Sequence, residues 1–114
     1  MSESKEFSVV IPVYNSEGTL RELTDKITSA MEDISGSYEI IYVDDSSRDD
    51  SWNTLNSLYD KSGKINIIRL SKNFGQDNAV FAGLRSCRGG KVIIMDDDLQ
   101  QSPEDIPVLL THMK

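Results

Sequence analysis

The chain has 114 residues, of which 38% are hydrophobic and 27% are charged, which is the length and balance of one globular domain with a modest core. Its formal net charge of -7 argues against nucleic acid or an anionic membrane surface as a direct partner, because both attract basic patches. If the ligand is a phosphate compound, a divalent cation is needed to offset the charge on both sides.

Four short apolar runs predict strands that are covered on both faces of a sheet. In chain order they occupy residues 7–13, 38–43, 65–70 and 91–95. Pro12 has no N–H to donate to a ladder, so we expect the first strand to stop there.

Amphipathic segments between these runs predict helices. We expect Asn15 or Ser16 to cap the first helix and residues 49–51 to cap the second. Gly83 lies inside the third helical pattern, where a glycine predicts close packing against the sheet, and the glycine pair at 89–90 would close that helix. A last helix is predicted near the C-terminus, with Ser102 or Asp105 as its cap.

Strands that alternate with helices at this spacing predict an α/β fold with right-handed βαβ units and a mostly parallel sheet. In such sheets, ligands bind outside the carboxyl ends of the strands. The polar clusters "YNSE", "DDSSRDD", "SKNFGQ" and "DDDLQQ" each follow a strand. We therefore expect all four clusters to meet at one edge of the sheet.

The last cluster predicts a metal site. Adjacent carboxylates repel one another unless a cation compensates, and Mg²⁺ or Mn²⁺ prefers oxygen ligands. Because residues two apart in an extended segment point the same way, Asp96, Asp98 and Gln100 can share a face while Asp97 points elsewhere. The alternative is a solvated acidic turn.

Asp44 and Asp45 end the second predicted strand. Acidic residues at this place in nucleotide-binding folds accept hydrogen bonds from a base or from ribose hydroxyls. Helix capping is the alternative, but residues 49–51 lie better for it. Asp44 and Asp45 are thus left without an obvious structural role, which favours the functional interpretation.

The other two clusters supply further candidates. Tyr14 and Asn15 follow the first strand, and Tyr14 can either contact a ligand or pack over the sheet edge. Asn73 and Gly75 lie in a loop before a helix, where glycine permits a positive φ or the close approach of a ligand. Lys72 can face a phosphate or simply lie on the surface.

Other reactive residue types are sparse. The single cysteine, Cys87, excludes an intrachain disulfide and fits a small buried side chain, and the single histidine, His112, is predicted at the surface. No glycine-rich phosphate loop is present. The N-terminus lacks a signal-peptide pattern and no apolar run could span a bilayer, so we expect a cytoplasmic chain.

Four segments, in order, resemble the N-terminal half of family 2 glycosyltransferases: "VVIPVYNSEGTL", "YEIIYVDDSSRDDS", "RLSKNFGQDNAVFAGL" and "VIIMDDDLQQSPEDIP". The chain looks most similar to the branch that transfers a sugar from a nucleotide donor to a polyprenyl (undecaprenyl or dolichyl) phosphate. The resemblance covers nearly the whole chain. It implies a GT-A fold, of which residues 1–114 would form the Rossmann-like, nucleotide-sugar-binding half.

The resemblance also implies roles for individual residues. Those that match the family's donor-binding motifs are Pro12, Tyr14, Asn15, Asp44, Asp45, Lys72, Asn73, Gly75 and Asp96. Those that match its metal motif are Asp96, Asp98 and Gln100. The chain departs from the family pattern at Ser46, where glycine is common, and at Asp97, where a small residue is usual. Gln101 and Ser102 also replace a common Asp and Pro.

For the parent enzyme, the resemblance implies Mg²⁺- or Mn²⁺-dependent, inverting transfer from a UDP-, GDP- or dTDP-sugar to a lipid phosphate or a glycan, at the cytoplasmic face of the membrane. The family's general base and acceptor site would follow Lys114, so we expect this chain to be a fragment that does not catalyse transfer alone. Its exposed sheet edge would favour self-association.

Other α/β modules remain as alternatives. A receiver-type domain carries its acidic pair after the first strand, and a phosphatase with an Asp-x-Asp motif carries that motif there too. This chain has "PVYN" at that place. A non-catalytic nucleotide-binding module also stays open.

Overall fold

The computed structural model describes residues 5–34, 37–59 and 64–97. These residues form four strands and three helices in strict alternation: β1 Lys5–Val13, α1 Leu20–Ile34, β2 Tyr38–Asp44, α2 Ser51–Leu58, β3 Ile65–Arg69, α3 Gln76–Arg85 and β4 Gly89–Ile94. The strand order is β3-β2-β1-β4 and every pairing is parallel. The predicted α/β fold with a mostly parallel sheet is confirmed.

The two faces of the sheet carry alternate residues of each strand, as the pleat requires. On one face, Val9 and Ile11 of β1 join Ile40 and Tyr42 of β2 in a fully buried core under α1 and α2. On the other face, a smaller cluster under α3 contains Ile41, Val43 and Ala79. Both faces are therefore covered, which explains why these strands are apolar almost throughout.

Gly83 allows α3 to lie directly on the sheet. A Cβ at this position would come within 2.5 Å of Val10 Cγ1 and 3.1 Å of Val43 Cγ2. Because real Cβ atoms essentially never approach that closely, only glycine fits without rearrangement. The predicted close-packing role of Gly83 is confirmed.

Some predicted boundaries are wrong. The first helix begins at Leu20, so neither Asn15 nor Ser16 caps it. The glycine pair at 89–90 does not close α3, which ends at Arg85; these glycines open β4 instead. The first strand extends one residue beyond Pro12, to Val13. Gly36, where the sequence predicts the end of the first helix, and the predicted C-terminal helix lie outside the described residues.

The carboxyl ends of the strands lie at one edge, where Val13, Asp44, Arg69 and Ile94 are the last strand residues. The loops that follow them hold the polar clusters of the sequence, so their predicted convergence is confirmed for the described residues, which include Asp96 and Asp97 of the last cluster. No helix within the described ranges has the length and apolar character that a bilayer crossing requires. Self-association through the sheet edge stays a prediction.

Candidate functional site

A cavity of about 390 Å³ opens at the carboxyl edge of the sheet. It lies among the loops that follow β1, β2, β3 and β4. Its lining residues are Pro12, Val13, Tyr14, Asp45, Asn73, Gly75, Gln76, Asp96 and Asp97. The structure thus brings together six of the predicted site residues, while Asn15, Asp44 and Lys72 lie outside the lining.

The loop between β1 and α1 is held against the loop between β2 and α2. Asn15 adopts a φ of 54°, a left-handed conformation that asparagine tolerates better than most residues. Its backbone N–H donates to Ser47 Oγ at 2.9 Å, and its side-chain Oδ1 accepts from the Arg48 N–H at 2.8 Å. The next residue, Ser16, donates its backbone N–H to Ser51 Oγ at 2.8 Å. Asn15 therefore shapes the site through the backbone of a neighbouring loop.

Asp49 reinforces the same junction. Its carboxylate accepts the Ser51 N–H at 2.9 Å and the Glu17 N–H at 3.3 Å. Partial desolvation acts to raise the pKa of Asp49, but these hydrogen bonds outweigh it and hold the pKa below its usual value. Of the three predicted capping residues, Asp49 thus accepts a backbone N–H at the start of α2, whereas Asp50 Oδ1 accepts from the Asn53 side chain at 2.7 Å.

Asp44 is completely buried and has a structural role. Its Oδ2 accepts the Ser47 N–H at 3.2 Å and lies 3.6 Å from Arg69 Nε, while its backbone carbonyl accepts the Leu70 N–H at 2.9 Å. The interpretation that Asp44 lacks a structural role is therefore wrong: it fixes the turn after β2 and ties it to the end of β3.

Asp45 has both a structural role and a place in the cavity wall. Its two oxygens accept the backbone N–H groups of Phe74 at 2.8 Å and Gly75 at 3.0 Å, so the supposed lack of a structural role is wrong here too. A carboxylate has about four acceptor sites, so these bonds leave capacity for a ligand. Gly75 has a φ of 97°, which confirms the expected positive φ.

Ser46, which stands where the resembling family commonly has glycine, also adopts a left-handed backbone, with a φ of 60°. A serine at this position carries a steric cost that glycine would not.

Asp96 and Asp97 point to different partners. Asp96 is exposed at the cavity and accepts from Gln76 Nε2 at 3.4 Å. Asp97 Oδ2 accepts the Tyr14 N–H at 3.0 Å and also bonds the hydroxyl of Ser16. The expectation that Asp97 turns away from Asp96 agrees with these contacts, but the bond from Asp97 to the first loop has no signal in the sequence.

Of the predicted metal ligands, only Asp96 is among the residues that the structure describes. Asp98 and Gln100 lie outside the described residues. Among the residues that the structure describes, no group of three or more His, Cys, Asp or Glu side chains is placed to hold a metal. Asp96 supplies a carboxylate at the cavity, and carboxylate oxygens are ligands that hard cations prefer. The chemistry of this one described ligand therefore fits Mg²⁺ or Mn²⁺.

Lys72 and Cys87 lie away from the cavity wall. The Lys72 ammonium lies 5.1 Å from the centre of the Phe74 ring, so it contacts another residue of its own loop, between β3 and α3. Its contact with a phosphate stays a prediction. Cys87 is half-buried at the far end of α3, and burial raises the pKa of its thiol, which suits a packed rather than a reactive cysteine. His112 lies outside the described residues.

The fold and the position of the cavity at the carboxyl edge of the sheet indicate the structural class of the protein. Solved structures with this arrangement are glycosyltransferases of the GT-A fold, and two illustrate it. S. aureus TarS in complex with UDP is 28% identical with a TM-score of 0.69, over 82% of this chain and 27% of that chain. A mannosyltransferase from Pyrobaculum calidifontis in complex with GDP-Man and Mn²⁺ shares the fold at 20% identity with a TM-score of 0.70, over 85% of this chain and 28% of that chain.

The sequence identifies the family within that class. The family model for glycosyl transferase family 2 matches residues 8–114, so the chain belongs to this family. A curated relative, an undecaprenyl-phosphate 4-deoxy-4-formamido-L-arabinose transferase of Pseudomonas fluorescens, is 44% identical over 104 residues. That match covers 90% of this chain but 30% of the relative, so the chain spans about a third of the length of such proteins. The predicted family and GT-A fold are confirmed.

Proposed function

We propose that this chain forms the donor-binding part of a glycosyltransferase that takes a sugar from a nucleotide diphosphate. The observation that carries the proposal is the cavity at the carboxyl edge, where Tyr14, Asp45 and Asp96 come from three different loops. TarS, which shares the fold at 28% identity, was solved with UDP, which favours a nucleotide as the ligand of this cavity.

The two ends of the cavity suit the two ends of such a donor. Asp45 and Tyr14 lie where a carboxylate and an aromatic ring can bind the nucleoside, through ribose or base hydrogen bonds and through ring contact. Asp96 lies on the loop after β4, within 3.4 Å of Gln76 Nε2, and suits the diphosphate end if a cation accompanies it. Asp44 acts from behind this wall, by fixing the loop that carries Asp45.

We propose that Asp96, with Asp98 and Gln100, would hold Mg²⁺ or Mn²⁺. When bound, the cation would neutralise the diphosphate and stabilise the charge that develops as the sugar–phosphate bond breaks. The mannosyltransferase of the same fold was solved with GDP-Man and Mn²⁺. Because the chain carries a net charge of -7, a cation also removes the repulsion between an acidic protein and an acidic donor.

We further propose an acceptor of the lipid-phosphate type for the whole protein. The support is the Pseudomonas fluorescens relative, whose name specifies undecaprenyl phosphate. An acceptor oxygen would attack the anomeric carbon from the side opposite the leaving diphosphate, which inverts the configuration. Residues beyond those of this chain would supply the acceptor site and the general base, and the whole protein would work at the cytoplasmic face of the membrane.

Calorimetry with UDP-, GDP- and dTDP-sugars, each with Mn²⁺ or with a chelator, tests the proposal. We expect one nucleotide class to bind, and Mn²⁺ to tighten that binding by roughly tenfold or more, as one carboxylate–cation–phosphate link would give. Asp96→Ala and Asp98→Ala should each remove the Mn²⁺ effect. Asp33→Ala, which deletes an exposed carboxylate of α1, is the charge-matched control. If none of the nucleotides binds, the proposed function is wrong.

A further inference from the structure

Asp97 connects the end of β4 to the loop that follows β1. Its Oδ2 accepts the Tyr14 N–H at 3.0 Å and bonds the Ser16 hydroxyl, and its backbone carbonyl accepts from Thr19 Oγ1 at 2.8 Å. These three donors span the loop from its first residue to the one that precedes α1. A side chain next to the proposed metal ligand Asp96 is thus committed to a different element of the fold.

The loop that Asp97 holds has contacts on two sides. Its opposite side is fixed by Asn15 and Ser16, whose backbone N–H groups donate to Ser47 and Ser51. Tyr14 lies between these two sets of contacts, and its side chain is 42% exposed at the cavity. The left-handed backbone of Asn15 costs free energy, so the loop keeps this shape only while contacts on both sides hold it.

We propose that Asp97 is a positioning residue for donor binding: it sets Tyr14, at the nucleoside end of the cavity, in a fixed relation to Asp96, at the diphosphate end, and does not ligate the metal. The inference rests on the proposed function for the identity of the ligand. It explains why an aspartate, rather than a small residue, stands at this position.

Electrostatics favour this arrangement over a shared metal site. Three adjacent carboxylates at 96–98 repel one another. When Asp97 accepts an N–H and a hydroxyl from the first loop, its charge is stabilised by donors other than the Gln76 amide that contacts Asp96. The carboxylate of Asp97 is then already bonded before any cation enters.

Hydrogen exchange at the Tyr14 amide tests the contact without any ligand. We expect Asp97→Ala to speed this exchange by roughly tenfold, because the amide loses its acceptor. Asp97→Asn keeps an oxygen that can accept the same N–H, so its exchange should stay near that of the wild type. Unchanged exchange in Asp97→Ala would overturn the proposal, whether or not a nucleotide binds.

The affinity for UDP, measured with Mn²⁺ and with a chelator, tests the positioning role of Asp97. If another nucleotide binds more tightly than UDP, that nucleotide is used in its place. We expect Asp97→Ala to weaken binding by roughly tenfold in both conditions, so that the ratio of the two affinities is unchanged, since an unheld loop must be ordered on binding. Asp97→Asn should restore most of the affinity. If Asp97→Asn instead removes the Mn²⁺ effect, as the loss of a ligand charge would, Asp97 is a metal ligand and the proposal is wrong.

Thr19→Val provides a test that does not alter the acidic run. It removes the hydroxyl that donates to the Asp97 carbonyl at 2.8 Å and that also lies 3.2 Å from the Ser16 carbonyl, with little change in volume. We expect a loss of roughly threefold in nucleotide affinity, again equal with and without Mn²⁺. If Asp97→Ala fails to fold while Thr19→Val and Asp97→Asn both bind nucleotide like the wild type, hydrogen exchange at the Tyr14 amide is measured in Thr19→Val. An exchange rate no faster than that of the wild type contradicts the proposal. If wild-type protein binds no nucleotide, only the proposed function fails and the exchange test still stands.

Discussion

Two carboxylates at opposite ends of the sheet, Glu39 and Asp96, differ in how they are held. Glu39 is fully buried near the start of β2, where it accepts the Ser8 hydroxyl at 2.6 Å, the Arg88 N–H at 2.6 Å and Arg88 Nε at 3.0 Å. Asp96 is exposed at the cavity, with a 3.4 Å contact from the Gln76 side chain. The protein satisfies Glu39 from within, whereas Asp96 faces space that a ligand can enter.

Burial of a charge therefore does not mark the site in this fold. Glu39 is the more unusual residue by burial, yet its hydrogen bonds join β1, β2 and the segment before β4 into one structural cluster. Asp45 and Asp97 lie between the two extremes, since each accepts backbone N–H groups and also lines the cavity. The distinguishing feature is access to the cavity, which a sequence does not show.

Removal of Glu39 should have the largest effect on stability. Glu39→Ala removes the bonds from the Ser8 hydroxyl, the Arg88 N–H and Arg88 Nε, and we expect a loss of roughly 3 kcal/mol, at the low end for a broken buried pair because the Arg88 side chain is 28% exposed. Urea unfolding measures the loss. Glu22→Ala, which breaks only an exposed pair with Lys26, is the control and should cost about 0.5 kcal/mol or less. If folded Glu39→Ala loses nucleotide affinity, the claim that Glu39 is structural whereas Asp96 belongs to the binding site is wrong.

A methyl group at Gly83 should give the next largest effect, since α3 links the two ends of the sheet here. Gly83→Ala places a Cβ 2.5 Å from Val10 Cγ1, and we expect a net loss of about 1 to 2 kcal/mol, reduced by the better helix propensity of alanine. Thermal unfolding checks this. Gly18→Ala is the matched control, because no atom lies within 4 Å of its added methyl, and equal losses in the two variants would refute the packing account.

Ser46→Gly should act in the opposite direction. Relief of the left-handed serine should exceed the entropic cost of glycine and stabilise the chain by about 0.5 kcal/mol. Gly75→Ala, at a φ of 97°, should instead destabilise it. Urea unfolding of the two variants measures the change in the free energy of unfolding, which should be positive for Ser46→Gly and negative for Gly75→Ala. Two changes of the same sign would mean that backbone strain does not govern these loops.

Asp49 should give the smallest effect, a change in how stability depends on pH. Because its pKa is lowered in the folded chain, its contribution is present above its ordinary pKa, near pH 4, and is lost as the pH falls through the folded value. Asp49→Asn should therefore lower the free energy of unfolding slightly at neutral pH, match the wild type at pH 2, and flatten the fall in stability between these limits. Unfolding curves from pH 2 to 7 test this, and a steeper acid limb in the variant would contradict the assigned hydrogen bonds.

Local patterns predicted the sheet, the family and most of the cavity wall, because apolar runs and strand-end polar clusters are encoded by neighbouring residues. The misplaced start of α1 and the missed contact of Asp97 both involve residues distant in sequence. The start of α1 was misplaced because Asn15 and Ser16 bond to Ser47 and Ser51 rather than to their own helix. The contact between Tyr14 and Asp97 joins residues 83 positions apart, and no periodicity encodes it.

Paramagnetic broadening by Mn²⁺ in the presence of the nucleotide is the most direct test of the central claim, that a cation and a donor bind at the carboxyl edge. In amide NMR spectra, we expect the signals of Gly75, Gln76 and Asp96 to broaden at the lowest Mn²⁺ concentrations, while those of Glu39 and Asn66, toward the other end of the sheet, stay sharp. Broadening that begins at Glu39 and Asn66, or that affects both ends equally, would contradict the account.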